Sequence, residues 1–79
     1  MIRVFTVVAE SDFHLILRFS NDEKRRFDMR PYLDMTVFQP LKNPGFFGLA
    51  SVNYGTVVWP GEIDIAPETL YELSVRLPS

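Results

Sequence analysis

Thr56-Val57-Val58-Trp59-Pro60-Gly61-Glu62-Ile63-Asp64-Ile65-Ala66-Pro67-Glu68-Thr69-Leu70-Tyr71 holds the chain's only tryptophan and two of its six prolines. Thr56 to Trp59 is β-branched and apolar, a strand composition. Pro60-Gly61 fits a type II turn: Pro presets the first central φ, and Gly supplies the positive φ at the second. Ile63-Asp64-Ile65 is a second, brief extended piece. Pro67 suits the first helical position, where its missing N–H costs no bond, and Glu68 in the first turn complements the helix dipole. Leu70, Leu73 and Leu77 follow helical spacing and predict one buried stripe on a C-terminal helix, with Arg76 near its end. Strand, turn, strand and helix in so short a run predict an α+β domain.

The segments upstream supply the sheet. Ile2 to Val8 reads as a strand with imperfect alternation: Ile2, Val4, Thr6 and Val8 fall on one side, Arg3, Phe5 and Val7 on the other. Apolar residues on both sides predict cover on both faces, or a face against another subunit. Phe13 to Phe19 alternates cleanly, with Phe13, Leu15, Leu17 and Phe19 inward and His14, Ile16 and Arg18 outward. Ser20-Asn21-Asp22-Glu23 is a turn cluster. Lys24 to Met29 returns with Phe27 and Met29 inward and Lys24, Arg26 and Asp28 outward. These three form an antiparallel meander. From Arg30 to Leu49, Pro31, Pro40 and Asn43-Pro44-Gly45 break any long element, so short turns of helix over one sheet face are expected. Ser51 to Gly55 is a short strand entering a turn.

Length and composition bound the rest. The chain has 79 residues, which predicts one domain spanning 1–79. A fold this small buries about 60% of its extended-chain surface and gains from oligomerisation, so a homodimer is expected. Hydrophobic residues make 47% and charged residues 23%, a globular balance; seven Phe favour a ring-rich core or interface. The net charge of −2 supplies no global pull toward nucleic acid. With no cysteine, disulfides, thiolate catalysis and cysteine–zinc sites are excluded. The apolar runs are too short to span a bilayer, and the start lacks a signal-peptide pattern, so a cytoplasmic protein is expected.

Leu15-Ile16-Leu17-Arg18-Phe19, then Arg26-Phe27-Asp28-Met29-Arg30-Pro31-Tyr32-Leu33, Val37-Phe38-Gln39-Pro40-Leu41, Phe46-Phe47 and the Thr56–Tyr71 stretch together resemble the domain-of-unknown-function family 2442. The resemblance covers nearly the whole chain, and the last motif is its most specific part. It implies a small bacterial or archaeal α+β domain with an antiparallel sheet and short helices. It also implies an antitoxin-like role, because members resemble components of toxin–antitoxin pairs. Some members carry an additional helix-turn-helix domain; the chain ends at Ser79, soon after the motif helix, so none is expected. The resemblance brings no catalytic residues.

The residues themselves offer two candidate surfaces. Phe46, Phe47, Trp59 and Tyr71 are rings of the kind that anchor protein interfaces, and core packing is the competing fate. Arg18, Lys24, Arg25 and Arg26 concentrate positive charge on one hairpin, which a nucleic acid could read; solvated strand charges explain them equally. His14, the single histidine, reads as an outward-facing strand residue beside Ser11 and Asp12, not as part of a triad. Asp64 reads as a carboxylate accepting N–H bonds at the helix start. No ligand spacing points to a metal or other cofactor. The expected function is a non-enzymatic protein-interaction module with a toxin-like partner. The alternatives are a nucleic-acid-binding hairpin, and a small-ligand scaffold or enzyme.

Overall fold

In a computed structural model, which describes residues 1–78, the meander consists of β1 (Val4–Ala9), β2 (His14–Phe19) and β3 (Lys24–Asp28). A second sheet follows from β4 (Ser51–Asn53), β5 (Thr56–Trp59) and β6 (Ile63–Ile65), all antiparallel. The fold is α+β, with short helices α1 (Pro44–Phe47) and α2 (Pro67–Leu73).

The broken alternation of the first strand has a local cause. Val4 pairs with Phe19 but Thr6 pairs with Arg18, so Phe5 is an extra residue at a β-bulge. Past the bulge the faces exchange. Val4 is buried and Val7 and Ala9 are half-buried, whereas Thr6 and Val8 are exposed. The expectation that Val4, Thr6 and Val8 share a side is therefore corrected, because one inserted residue inverts a period-two pattern.

The middle segment forms short helical turns, as its prolines dictate. Arg30–Tyr32 and Thr36–Lys42 are 3₁₀ segments, and the Asn43 side chain caps α1 by accepting from the N–H groups of Gly45 and Phe46. This segment delivers Phe38, Leu41 and Phe47 to the core. There they join Leu15, Leu17 and Phe19 of β2 and Val57 and Trp59 of β5 in one cluster. Gly55, at φ +74°, closes the β4–β5 hairpin, and its carbonyl accepts from Val4 N at 2.9 Å, tying the two sheets together.

The stretch from Thr56 folds largely as its residues require. Gly61 has φ +88°, the left-handed value a type II turn needs after Pro60. Pro67 opens α2. Asp64 does not cap it: the N-cap residue is Ala66, without a side-chain bond, and Asp64 is exposed on β6. The leucine stripe also fails. Leu70 is buried, but Leu73 is 56% exposed and Ser74 turns to extended backbone. The chain then forms β7 (Val75–Arg76), which pairs with β3 and completes a four-stranded sheet in the order β1-β2-β3-β7. Leu77 and Arg76 thus lie beyond the helix, held by strand pairing.

Candidate functional site: the open face of the four-stranded sheet

The inner face of this sheet carries Leu15, Leu17 and Phe27, all buried. The outer face presents the alternate residues, and strand register sorts them into three rows. Thr6, Arg18 and Lys24 form the first, extended by Leu77, whose N–H bonds Lys24 O at 2.8 Å. Val8, Ile16, Arg26 and Val75 form the second. Glu10, His14 and Asp28 form the third, with Glu10 N bonded to His14 O at 2.8 Å. Leu73 joins the third row where an open hollow of about 320 Å³ is lined by His14, Arg26, Asp28, Leu73, Val75 and Leu77. The face is thus cationic along one side, apolar except for Arg26 across the middle, and acidic along the other side.

The acidic side is a closed network. Arg26 Nε donates to Glu10 at 2.9 Å and its Nη2 to Asp12 at 3.2 Å. His14 Nδ1 lies 2.9 Å from the Asp12 carboxylate, and its Nε2 lies 3.7 Å from Asp28. Arg30 forms a fork on Asp28, at 3.0 and 2.9 Å. At Asp12, desolvation pushes the carboxyl upward, but the His14 hydrogen bond and the neighbouring charges of His14 and Arg26 prevail, and the net shift is downward. His14 faces outward as its strand position requires, yet it is buried, because this network surrounds it. Glu10, Asp12 and His14 also bring ligand-type atoms within 4.8 Å of one another. Arg26 already neutralises both carboxylates, so the trio has the chemistry of an ion-pair cluster. No sequence spacing announced it, since Asp28 and Arg26 arrive from another strand.

The Arg30 hydrogen bonds hold Asp28 at about 2, well below the ordinary carboxylate value of 3.8. Its folded pKa lies below its unfolded one, so its contribution is complete above about pH 4 and disappears as pH falls toward 2. Because the side chain is 38% exposed, solvent screening limits that contribution to about 1 kcal/mol. Urea denaturation of Asp28→Asn should show a shallower loss of stability between pH 4 and 2 than the parent shows. An identical acid limb would remove Asp28 as its source.

The basic run divides between both faces. Arg25 points inward over Tyr71, with its guanidinium 4.4 Å from the ring, and bonds Ser74 and Glu23. Arg26 belongs to the acidic network. Arg18 and Lys24 stay adjacent across β2 and β3, and neither forms an ion pair among the described residues. The four rings do not make a patch either. Phe47 and Trp59 are core residues at 2% and 3% exposure, and Trp59 Nε1 donates to Phe47 O at 2.9 Å. Phe46 is half-buried against the core. Tyr71 is half-buried, packs edge-on to Phe19 and donates its hydroxyl to Glu23 at 2.8 Å. Phe47 and Trp59 therefore leave the candidate partner surface, because a ring enclosed by its own fold has no face for a partner.

Among the described residues, no helix is long and apolar enough to cross a membrane. Neither a curated protein nor a solved structure matches the chain. One family does, described as protein of unknown function (DUF2442), over residues 4–76. That span runs from the start of β1 to the end of β7 and so includes both sheets and all of the open face except Leu77. With nearly its whole length matched, the chain belongs to the DUF2442 family of proteins of unknown function.

Proposed function

We propose that the protein is a small, non-enzymatic interaction module of the prokaryotic cytoplasm, the antitoxin-like member of a pair. It acts by burying the open face of its four-stranded sheet against a partner protein. The observation that carries this reading is the apolar part of that face. Val8, Leu73 and Val75 are 60, 56 and 69% exposed, and they adjoin charged rows that give a partner its orientation. Val8 with Ile16, and Val75 with Leu73, form two apolar stretches on either side of Arg26, and apolar surface bordered by polar groups is what a protein interface requires. The acidic network supports the non-enzymatic part, since its carboxylates are already engaged by Arg26, His14 and Arg30. The resemblance to components of toxin–antitoxin pairs supplies the class of partner.

Co-expression with the product of the adjacent gene tests the reading. The parent should retain that product through purification. Val8→Glu combined with Val75→Glu should lose it while keeping the parent's circular dichroism and melting temperature, because both positions are solvent-facing. Failure of the neighbouring product to associate with the parent would remove the toxin-partner reading. Retention by the double variant would move the binding surface elsewhere.

A further inference from the structure

We infer that the open face of the four-stranded sheet is self-complementary and that its occupant, when no other partner is present, is a second copy of this chain. The inference rests on the reading of that face as an interaction surface and names what it binds.

Two copies stacked face to face with two-fold symmetry have their axis in the plane between the sheets. Let that axis run along the central row. Each strand then lies over its own copy in reverse direction, and the first row of one chain meets the third row of the other. Lys24 falls over Asp28, Arg18 over His14 beside Asp12, and Leu77 over Leu73. The row assignments behind these pairs are fixed by the strand register. The central row falls on itself, so Val8, Ile16 and Val75 meet their own copies. Arg26 also meets its copy, but each is already neutralised by Glu10 and Asp12. Of Arg18 and Lys24, the cations of this face left without carboxylate partners among the described residues, Lys24 meets Asp28 directly, beside its Arg30 bonds, and Arg18 meets His14 with Asp12 next to it. An axis parallel to the strands would instead place cations over cations.

The strands lie about 4.8 Å apart and have 6, 6, 5 and 2 residues, so the patch is about 19 Å across and narrows from about 20 to about 7 Å along the strands. At roughly 600 Å² in total this is smaller than a stable specific interface, so the dimer is a transient one that should dissociate on dilution. High salt should weaken it as well, since exposed charges orient it.

Charge exchange provides the test. Sedimentation velocity should show the parent passing from monomer to dimer as concentration rises to about millimolar. Lys24→Glu alone places like charges in both copies of the pair and should weaken self-association by about tenfold. Asp28→Lys alone should do the same. In an equimolar mixture of the two variants, the introduced glutamate faces the introduced lysine on one side, and the native Asp28 faces the native Lys24 on the other. That mixture should associate like the parent. Val75→Glu, at an exposed position, should give a monomer that needs no charge change in the network. A parent that remains monomeric at the highest concentration overturns the inference, as does unaltered dimerisation of Lys24→Glu and Val75→Glu. So does a folded mixture that fails to associate. None of these outcomes affects retention of the adjacent gene product, which tests the underlying reading separately.

Discussion

Replacing Trp59 by Ala should lower the unfolding free energy by about 3–5 kcal/mol, the range for removing a large buried ring. A chain of this length has roughly 4–12 kcal/mol in total, so the variant loses most of its stability. The side chain is 3% exposed and lies 5.9 Å from the Phe47 ring, and its indole N–H satisfies the Phe47 carbonyl. Alanine leaves a cavity between β5 and α1 and leaves that carbonyl with only the longer bond from Ala50 N, at 3.3 Å. Trp59→Phe retains most of the ring volume but loses the indole bond, while Phe47 O keeps Ala50 N, and should cost about 1 kcal/mol. Urea titration followed by far-UV circular dichroism measures both. Equal losses in the two variants would show that the hydrogen bond, not the packing, dominates. An unchanged midpoint in Trp59→Ala would contradict the core placement.

Tyr71→Ala should be the second severe change, costing about 2–4 kcal/mol for a partly buried ring. The ring packs edge-on against Phe19 at 5.1 Å and lies beneath the Arg25 guanidinium. Its hydroxyl joins α2 to the turn between β2 and β3 through Glu23 and Asn21. That hydroxyl is the main reason the Glu23 carboxyl lies below its ordinary range, with Arg25 adding to it. Tyr71→Phe keeps the ring and should lose less, while the Glu23 carboxyl moves up toward the usual value in an NMR titration. If Tyr71 instead served as a partner anchor, Tyr71→Ala would leave the melting temperature unchanged.

These two residues also show how far the sequence could be read. Trp59 and Tyr71 were visible as important rings, but an aromatic side chain looks the same in a core and at an interface. What separates them is the partner each finds, Phe47 O for one and Glu23 for the other. Period-two patterning located β2 because its inward residues are uniformly large and apolar, and β3 through Phe27, although Arg25 also points inward. It misplaced the outer half of β1, since one bulge residue, Phe5, inverts all that follows. Leu73, Val75 and Leu77 are also two apart, so the pattern that predicted a helical stripe holds a strand pattern too. Ser74, extended and buried, decides between them. Phe13 has φ +65°, a left-handed turn that a bulky aromatic rarely takes and that sequence rules place at Asn, Asp or Gly. The candidate face was the least legible part. Its rows depend on register between strands distant in sequence, and its acidic network on side chains from β2 and β3 converging with the preceding turn.

The long reach of β7 has a kinetic consequence. The β1–β2 and β2–β3 pairings close short loops, whereas Arg25 meets Ser74 and Glu23 meets Tyr71 across 49 and 48 residues. Loop closure of that length is paid before its contacts reward it, so the meander nucleates and the C-terminal clasp condenses afterwards. Contacts made after the barrier act on the escape rate. Loosening the clasp at Tyr71 should therefore leave the refolding limb of a chevron nearly in place and raise the unfolding limb. On that outcome the clasp sets the lifetime of the native state.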